Sequence, residues 1–413
     1  MDQHNELLLA ALRCALKGEV LPEQPEISGE TWEKVFLLAR KHHLLPMIFE
    51  AVYAQPGVMV HPSAGAVRKG VMQSVFAQTV KTAEFQELYT RLLQAGVSPL
   101  VVKGLVCRNL YPLPDHRISG DEDVLIPAEQ FQTAHRVMTE FGMTTTEAEE
   151  NFEAAYEIPY RKAGSPLYIE LHKYLFSPDS GAYGHLNDYF SHVHGNAREE
   201  EIQGCAVASL APDDHLFYLI CHSFKHFLHS GFGIRQVCDI VLYARRYGGE
   251  IHWEQLMEKC RQIRADRFAG ALFRIGREYL DVDLSDILPE SWNSMEVDPL
   301  PMVEELMEAG VYGGADRSRK HSSNITLTAM ENQKRGKATS GGVLKSLFPE
   351  PKKLEKRYPY LKKHPALVPV AWVSRIITYG RETAAGSNNS AAESIRIGGE
   401  RVELMKYYGI LED

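Results

Sequence analysis

The sequence predicts an α+β protein: a small mixed sheet with helices, flanked by N-terminal helices and a C-terminal helical domain. Three observations predict it. Apolar residues recur at helical spacing through the first 95 positions, two-residue alternation and short β-prone runs take over from Ser98 to His172, and the helical period returns after Ala211. At roughly 150 residues per domain, 413 residues imply two or three units. The expected division is a helical segment over 1–95, a sheet-bearing core over 96–208, a helical domain over 209–308, and a linker with a basic segment over 309–413 that packs on the helical domain.

In the first part Trp32, Val35, Phe36 and Ala39 form one stripe, Phe85, Leu88 and Leu92 another, and Gly96 supplies a stop. Pro99 to Val102 then reads as a strand, Lys103-Gly104 as a turn, and the residues to Leu110 as a helix. A second strand is expected over Asp121–Ile126 and a helix over Ala128–Phe141, with Phe131, Ala134, Val137 and Met138 inward and Gly142 as cap. Tyr156–Arg161 and Leu167–His172 both alternate. In the latter, Leu167, Ile169 and Leu171 face one way and Tyr168, Glu170 and His172 the other. After Ala211, Asp213 or Asp214 is the expected N-cap of the first of several amphipathic helices. The Gly-, Ser-, Lys- and Asn-rich stretches Ala309–Gly342 and Gly380–Ala392 read as exposed loops or linkers.

Composition narrows the function. Hydrophobic residues make up 44% and charged residues 24%, a globular balance, and the net charge of −9 disfavours a protein devoted to coating nucleic acid or an anionic membrane. Six cysteines without a CxxC pair imply reduced thiols rather than a zinc knuckle or disulfide framework. The N-terminus lacks the basic n-region of a signal peptide, and no apolar run nears the ~20 residues that span a bilayer. The expectation is a cytoplasmic protein without membrane insertion. The segment 334–363 holds ten Lys or Arg against Glu350 and Glu355, which fits a solvated linker better than a nucleic-acid surface.

Asp121 and Asp123 stand two apart at the start of a strand, so both carboxylates emerge on one face while Val124 and Ile126 enter the core. Neighbouring carboxylates repel unless a cation collects them, and hard Mg²⁺ is the usual guest. On that reasoning Asp123→Asn is expected to leave the fold intact. Glu170, on the polar face of its own strand, is a third acid able to converge on the pair. Lys103-Gly104 lies where a strand turns into a helix, a place suited to phosphate, and Arg117 adds a cation with bidentate geometry. His222 and His226 share a helix face, but HSFKH lacks the third ligand and the glutamate of a zinc-protease motif. They line a substrate pocket, with Lys225 near phosphate, or serve as interfacial residues. Arg235 and Asp239, also four apart, form a helix salt bridge or part of that pocket, and His172 orients substrate or is structural.

Val101-Val-Lys-Gly104, Arg117-Ile-Ser-Gly-Asp-Glu-Asp-Val-Leu-Ile126 and Tyr168-Ile-Glu-Leu-His172 together resemble a bacterial family of uncharacterised nucleotidyltransferases within the polymerase-β-like superfamily. Weaker similarity extends over roughly residues 30–380. The resemblance implies a polymerase-β-like core over 96–208 and two-metal transfer of a nucleoside monophosphate from an NTP to an acceptor hydroxyl, with pyrophosphate leaving. It implies Mg²⁺ or Mn²⁺ on Asp121, Asp123 and Glu170, and triphosphate contacts from Lys103, Gly104 and Arg117. The acceptor is left open among an antibiotic, a sugar, a glycan precursor and a protein, and so are small-molecule phosphotransfer and a non-catalytic nucleotide-binding protein. This chain departs from the pattern at Lys103-Gly104, where Gly-Ser is usual, and at Glu122, where the family has an apolar residue. Glu122 should face the buried side, which implies that its strand starts late or lies at an edge.

Overall fold

The structure is a computed structural model that describes residues 1–310, 317–334, 358–362, 364–372 and 391–412, with positions 354 and 374. Five helices open the chain: α1 (Gln3–Lys17), α2 (Gly29–Lys41), α3 (Leu45–Val52), α4 (Pro56–Met59) and the long α5 (Ala64–Gln94). The Ser28 hydroxyl caps α2 by accepting from Thr31 N–H at 3.2 Å. The stripe Trp32, Val35, Phe36 and Ala39 is buried, as are Phe85, Leu88 and Leu92 of α5. Gly96 ends α5 at φ +79°, the left-handed conformation that a glycine stop supplies.

The sheet follows. It contains β1 (Leu100–Val102), β2 (Glu122–Leu125), β3 (Met143–Thr144), β4 (Glu157–Lys162) and β5 (Tyr168–His172) in the order β1-β2-β5-β4-β3. Only β2 and β5 run parallel. The short α6 (Gly104–Arg108) follows β1, and α7 (Phe131–Glu140) buries Phe131, Ala134, Val137 and Met138 as its period requires. β2 begins one residue after Asp121, so the strand does start late, yet it lies inside the sheet between β1 and β5 rather than at an edge. A separate hairpin, β6 (Arg198–Ile202) with β7 (Cys205–Ser209), turns at Gln203-Gly204, both at positive φ, as a tight two-residue turn needs.

Then come α8 (Pro212–Leu228), α9 (Ile234–Tyr247), α10 (Trp253–Gln262), α11 (Asp266–Tyr279), α12 (Glu290–Asn293), α13 (Leu300–Ala309), α14 (Arg317–Lys334) and α15 (Ala391–Tyr407). Neither Asp213 nor Asp214 caps α8. Pro212 takes its first helical position behind Ala211, and the two acids lie in the first turn, where Asp213 accepts from His252 and Asp214 pairs with His192 and Lys259. The sequence expectation of a loop over 309–342 fails at α14. Its polar composition hides a helix whose Ser318, Ser322, Thr326, Ala329 and Met330 are buried, and it packs along α15. Most of the basic segment 334–363, and positions 380–390 of the second expected loop, lie outside the described residues.

One apolar core runs from Leu7 of α1 to Leu411, uniting the N-terminal helices, the sheet and the later helices. All six cysteines are free thiols. No helix among the described residues is long and apolar enough to cross a membrane.

Candidate active site

The parallel pairing of β2 with β5 sets Asp123 directly opposite Glu170, so both carboxylates leave the same face of the sheet. Two pairs further along, His172 stands opposite Leu125, and β4 brings Glu157 opposite His172. Asp123, Glu170 and His172 each offer a ligand atom within 4.8 Å of the others. Asp121 is outside this tight group. It precedes the strand, is half-buried, and lines an open hollow of about 450 Å³ with Arg161, Lys162 and Tyr168.

Asp123 is buried and flanked by two cations: Lys103 Nζ lies 2.8 Å from Oδ2 and His172 Nε2 3.1 Å from Oδ1. Burial by itself would favour the neutral acid, but Lys103 and His172 outweigh it and hold Asp123 well below the usual carboxylate range. For His172, burial opposes the charged form, yet its contacts with Asp123 and Glu170 push its pKa up to about 9. Its Nδ1–H donates to Tyr174 C=O at 3.3 Å, which leaves Nε2 directed at the carboxylates. Glu170 moves the other way: burial and the nearby Asp123, Asp121 and Glu157 raise it, despite the His172 contact. Relief of repulsion is therefore not the state of Asp123. In the metal-free protein the charge is compensated, and its removal strands two cations.

Lys103 adopts φ +60°, a conformation that costs a non-glycine residue free energy and persists only where neighbours enforce it. The enforcing chain is visible. Ser209 Oγ donates to Val101 C=O at 2.7 Å and lies 3.2 Å from His215 Nδ1, while His215 Nε2 accepts from Lys103 N–H at 3.2 Å. That last bond requires a neutral ring, and burial lowers the His215 pKa to about 3. Gly104 has its own reason. A Cβ there would stand 2.1 Å from Glu122 Oε2, so only glycine lets the turn pack on β2.

Glu122 itself points to the opposite face of β2, fully buried. Its Oε1 accepts from Arg108 at 2.7 Å and Ser119 at 2.8 Å, and Lys81 Nζ of α5 stands 3.0 Å away. This network explains how an acid occupies an otherwise apolar position: two buried cations receive it.

Arg117 does not reach the carboxylates. It is 1% exposed and forms a bidentate pair with Asp239 of α9, at 2.7 and 2.5 Å, with Tyr111 donating to the same carboxylate. The pairing expected between Arg235 and Asp239 is thus replaced, because Arg117 takes Asp239, and Arg235 instead donates to Ile118 C=O. Both residues tie the loop before β2 to α9.

The α8 residues do gather at the site. His222 Nε2 lies 3.4 Å from Lys103 Nζ and 3.0 Å from His226 Nε2, and burial with the neighbouring lysines keeps both rings neutral. Lys225, half-buried, has no hydrogen-bond or ion-pair partner among the described residues. Burial and the nearby Lys103 lower its pKa, while Glu157, Asp123 and Glu170 oppose that, which locates the ammonium beside the acidic face.

Sequence reasoning missed Glu157, Tyr218 and the anchoring role of His215. Glu157 shares the parity of Pro159 and Arg161 on an alternating strand. His215, Tyr218, His222 and Lys225 share one helical stripe, so the signal was present but had no partner to give it meaning.

The family model described as "Uncharacterised nucleotidyltransferase" matches residues 28–281, which include α2 to α11 and every residue of this site. The chain belongs to this nucleotidyltransferase family. A search of the curated proteins found no match. Family membership agrees with the resemblance carried by residues 101–172. The buried Asp123 and His172 and the half-buried Glu170 make a donor set of hard oxygens and one imidazole that fits a divalent ion.

Proposed function

We propose that the protein transfers a nucleoside monophosphate from an NTP to an acceptor hydroxyl and releases pyrophosphate. The observation that supports this most is the in-register pairing of Asp123 with Glu170 on parallel neighbours, with Asp121 two residues away on the same strand edge. Asp121, Asp123 and Glu170 would hold Mg²⁺ or Mn²⁺, with His172 beside them. Such ions, when bound, neutralise phosphate charge and stabilise the attacking and leaving oxygens.

The remaining parts fall to the chain's own groups. Lys225 supplies for the triphosphate a cation that has no side-chain partner among the described residues, and Lys103 is freed for phosphate once Asp123 has another counter-charge. The bond formed joins the acceptor oxygen to the α-phosphorus, and the bond broken is that from the α-phosphorus to the bridging oxygen of pyrophosphate. The acceptor proton passes to Glu170, the carboxylate that shares the sheet face with Asp123. Arg117 holds the β2 approach to α9 instead of touching phosphate.

Incubation with each labelled NTP, Mg²⁺ and a panel of hydroxyl-bearing acceptors, followed by mass analysis, tests the proposal. The expected product is an NMP adduct with one pyrophosphate per transfer. An adduct carrying only phosphate, with NDP released, would make the protein a phosphotransferase. No adduct together with nucleotide binding would make it a binding protein.

A further inference from the structure

The face of α8 that looks onto the carboxylates carries a buried tyrosine whose hydroxyl has no hydrogen-bond partner among the described residues. His215, Tyr218, His222 and Lys225 follow one another at steps of three and four, a single stripe of the helix. Two of them are fastened to the Lys103 turn, His215 through the backbone N–H at 3.2 Å and His222 through the ammonium at 3.4 Å. Tyr218 lies between these two along the stripe and is held over the same turn. Its ring is wedged among Phe176 at 6.0 Å, Phe190 at 6.1 Å and His222 at 5.6 Å, and the residue is 1% exposed, so it has little freedom to swing away. Among the described residues the hydroxyl makes no hydrogen bond. His215 and His222 flank it and both reach Lys103, which pairs with Asp123, so this part of α8 lies over the turn beside the carboxylates, and the charges of Asp123 and Lys103 act on the hydroxyl.

A tyrosine hydroxyl that no described group satisfies keeps its donor capacity for a ligand. This one is a donor rather than a base, since its burial among carboxylates keeps the proton on the oxygen. A donor beside two lysines complements an anionic oxygen. We propose that Tyr218 is a substrate-binding residue whose hydroxyl donates a hydrogen bond to a phosphoryl oxygen of bound NTP, next to Lys225 on the same stripe. The inference rests on the nucleotidyl-transfer reading above and adds a group that neither the motif nor the metal cluster includes.

The test compares wild type with Tyr218→Phe in two measurements. Thermal unfolding without nucleotide should give an equal or higher Tm for the variant, because the deleted oxygen has no protein partner. Calorimetric titration with Mg²⁺ and the α,β-methylene analogues of the four NTPs should show binding about tenfold weaker in the variant, the scale of one hydrogen bond to a charged group. The ³¹P spectrum of the bound analogue should also change. Equal affinity with an unchanged ³¹P spectrum overturns the proposal. A variant that loses Tm in parallel with affinity has lost a structural contact, which overturns it equally. If wild type binds none of the four analogues, the nucleotidyl-transfer reading fails first and this inference with it.

Discussion

Replacing Glu122 by Gln removes one charge and almost no volume from the back of the strand that carries Asp123. In the folded protein this carboxylate is fully buried, with Lys81 at 3.0 Å and Arg108 at 2.7 Å. The amide can still accept from Arg108 and Ser119, so hydrogen bonding is partly conserved, but two buried cations lose the only carboxylate within ion-pair distance among the described residues. Breaking a buried pair from one side costs about 3–5 kcal/mol. The expected loss in urea unfolding is in that range, as a lower midpoint at unchanged slope. The pH dependence adds a sign. Although burial favours its neutral form, Arg108 and Lys81 depress the Glu122 pKa in the folded state, so its contribution is complete above the unfolded carboxylate value of about 4.3 and is lost as pH falls toward the folded one. The gap between wild type and Glu122→Gln should therefore be widest at neutral pH and close in acid. A variant within 1 kcal/mol of wild type at pH 7, or a gap that widens in acid, would refute the ion-pair account of Glu122.

Asp123→Asn should destabilise the protein without added metal, since it strands Lys103 and His172, and should abolish the gain in thermal stability that the proposed function predicts for wild type with Mg²⁺ and NTP; a Tm without metal equal to wild type would contradict the pairing. Gly104→Ala sets a Cβ 2.1 Å from Glu122 Oε2, so an overpacking loss of about 1–3 kcal/mol is expected in chemical unfolding, and it should shrink in the background of Glu122→Ala, where the obstructing atom is gone. Arg117→Lys keeps charge but loses the bidentate fit to Asp239, so stability should fall while NTP affinity at a temperature well below the melt stays near wild type; the reverse pattern would return Arg117 to the phosphates. His172, raised to about 9 in the metal-free protein, contributes stability below its unfolded value of about 6.5 that is lost as pH rises through 9, and His172→Gln should flatten that part of the pH profile.

By itself the sequence determined many of the helices, the strands around residues 100–172 and which residues these turn inward, because they follow from periods of 3.6 and 2 that a local stretch displays. The Phe131 stripe, the Gly96 and Gly142 stops and the alternation around Glu170 are all of this kind. It also offered Asp121, Asp123 and Glu170 as candidate acids, since the residues between Val101 and His172 carry the family's pattern. Tertiary structure alone decided who meets whom. Arg117 has the charge and shape for phosphate, but a carboxylate 122 residues away claims it. His172 alternates like a polar-face residue and is buried against Asp123 only because β2 and β5 are neighbours in register. Polar α14 escaped notice because its burial depends on α15, which follows it by more than fifty residues. Charge and hydrogen-bonding capacity are properties of a residue, but their use depends on distances of 3–4 Å between segments far apart in the chain, and folding alone sets those distances.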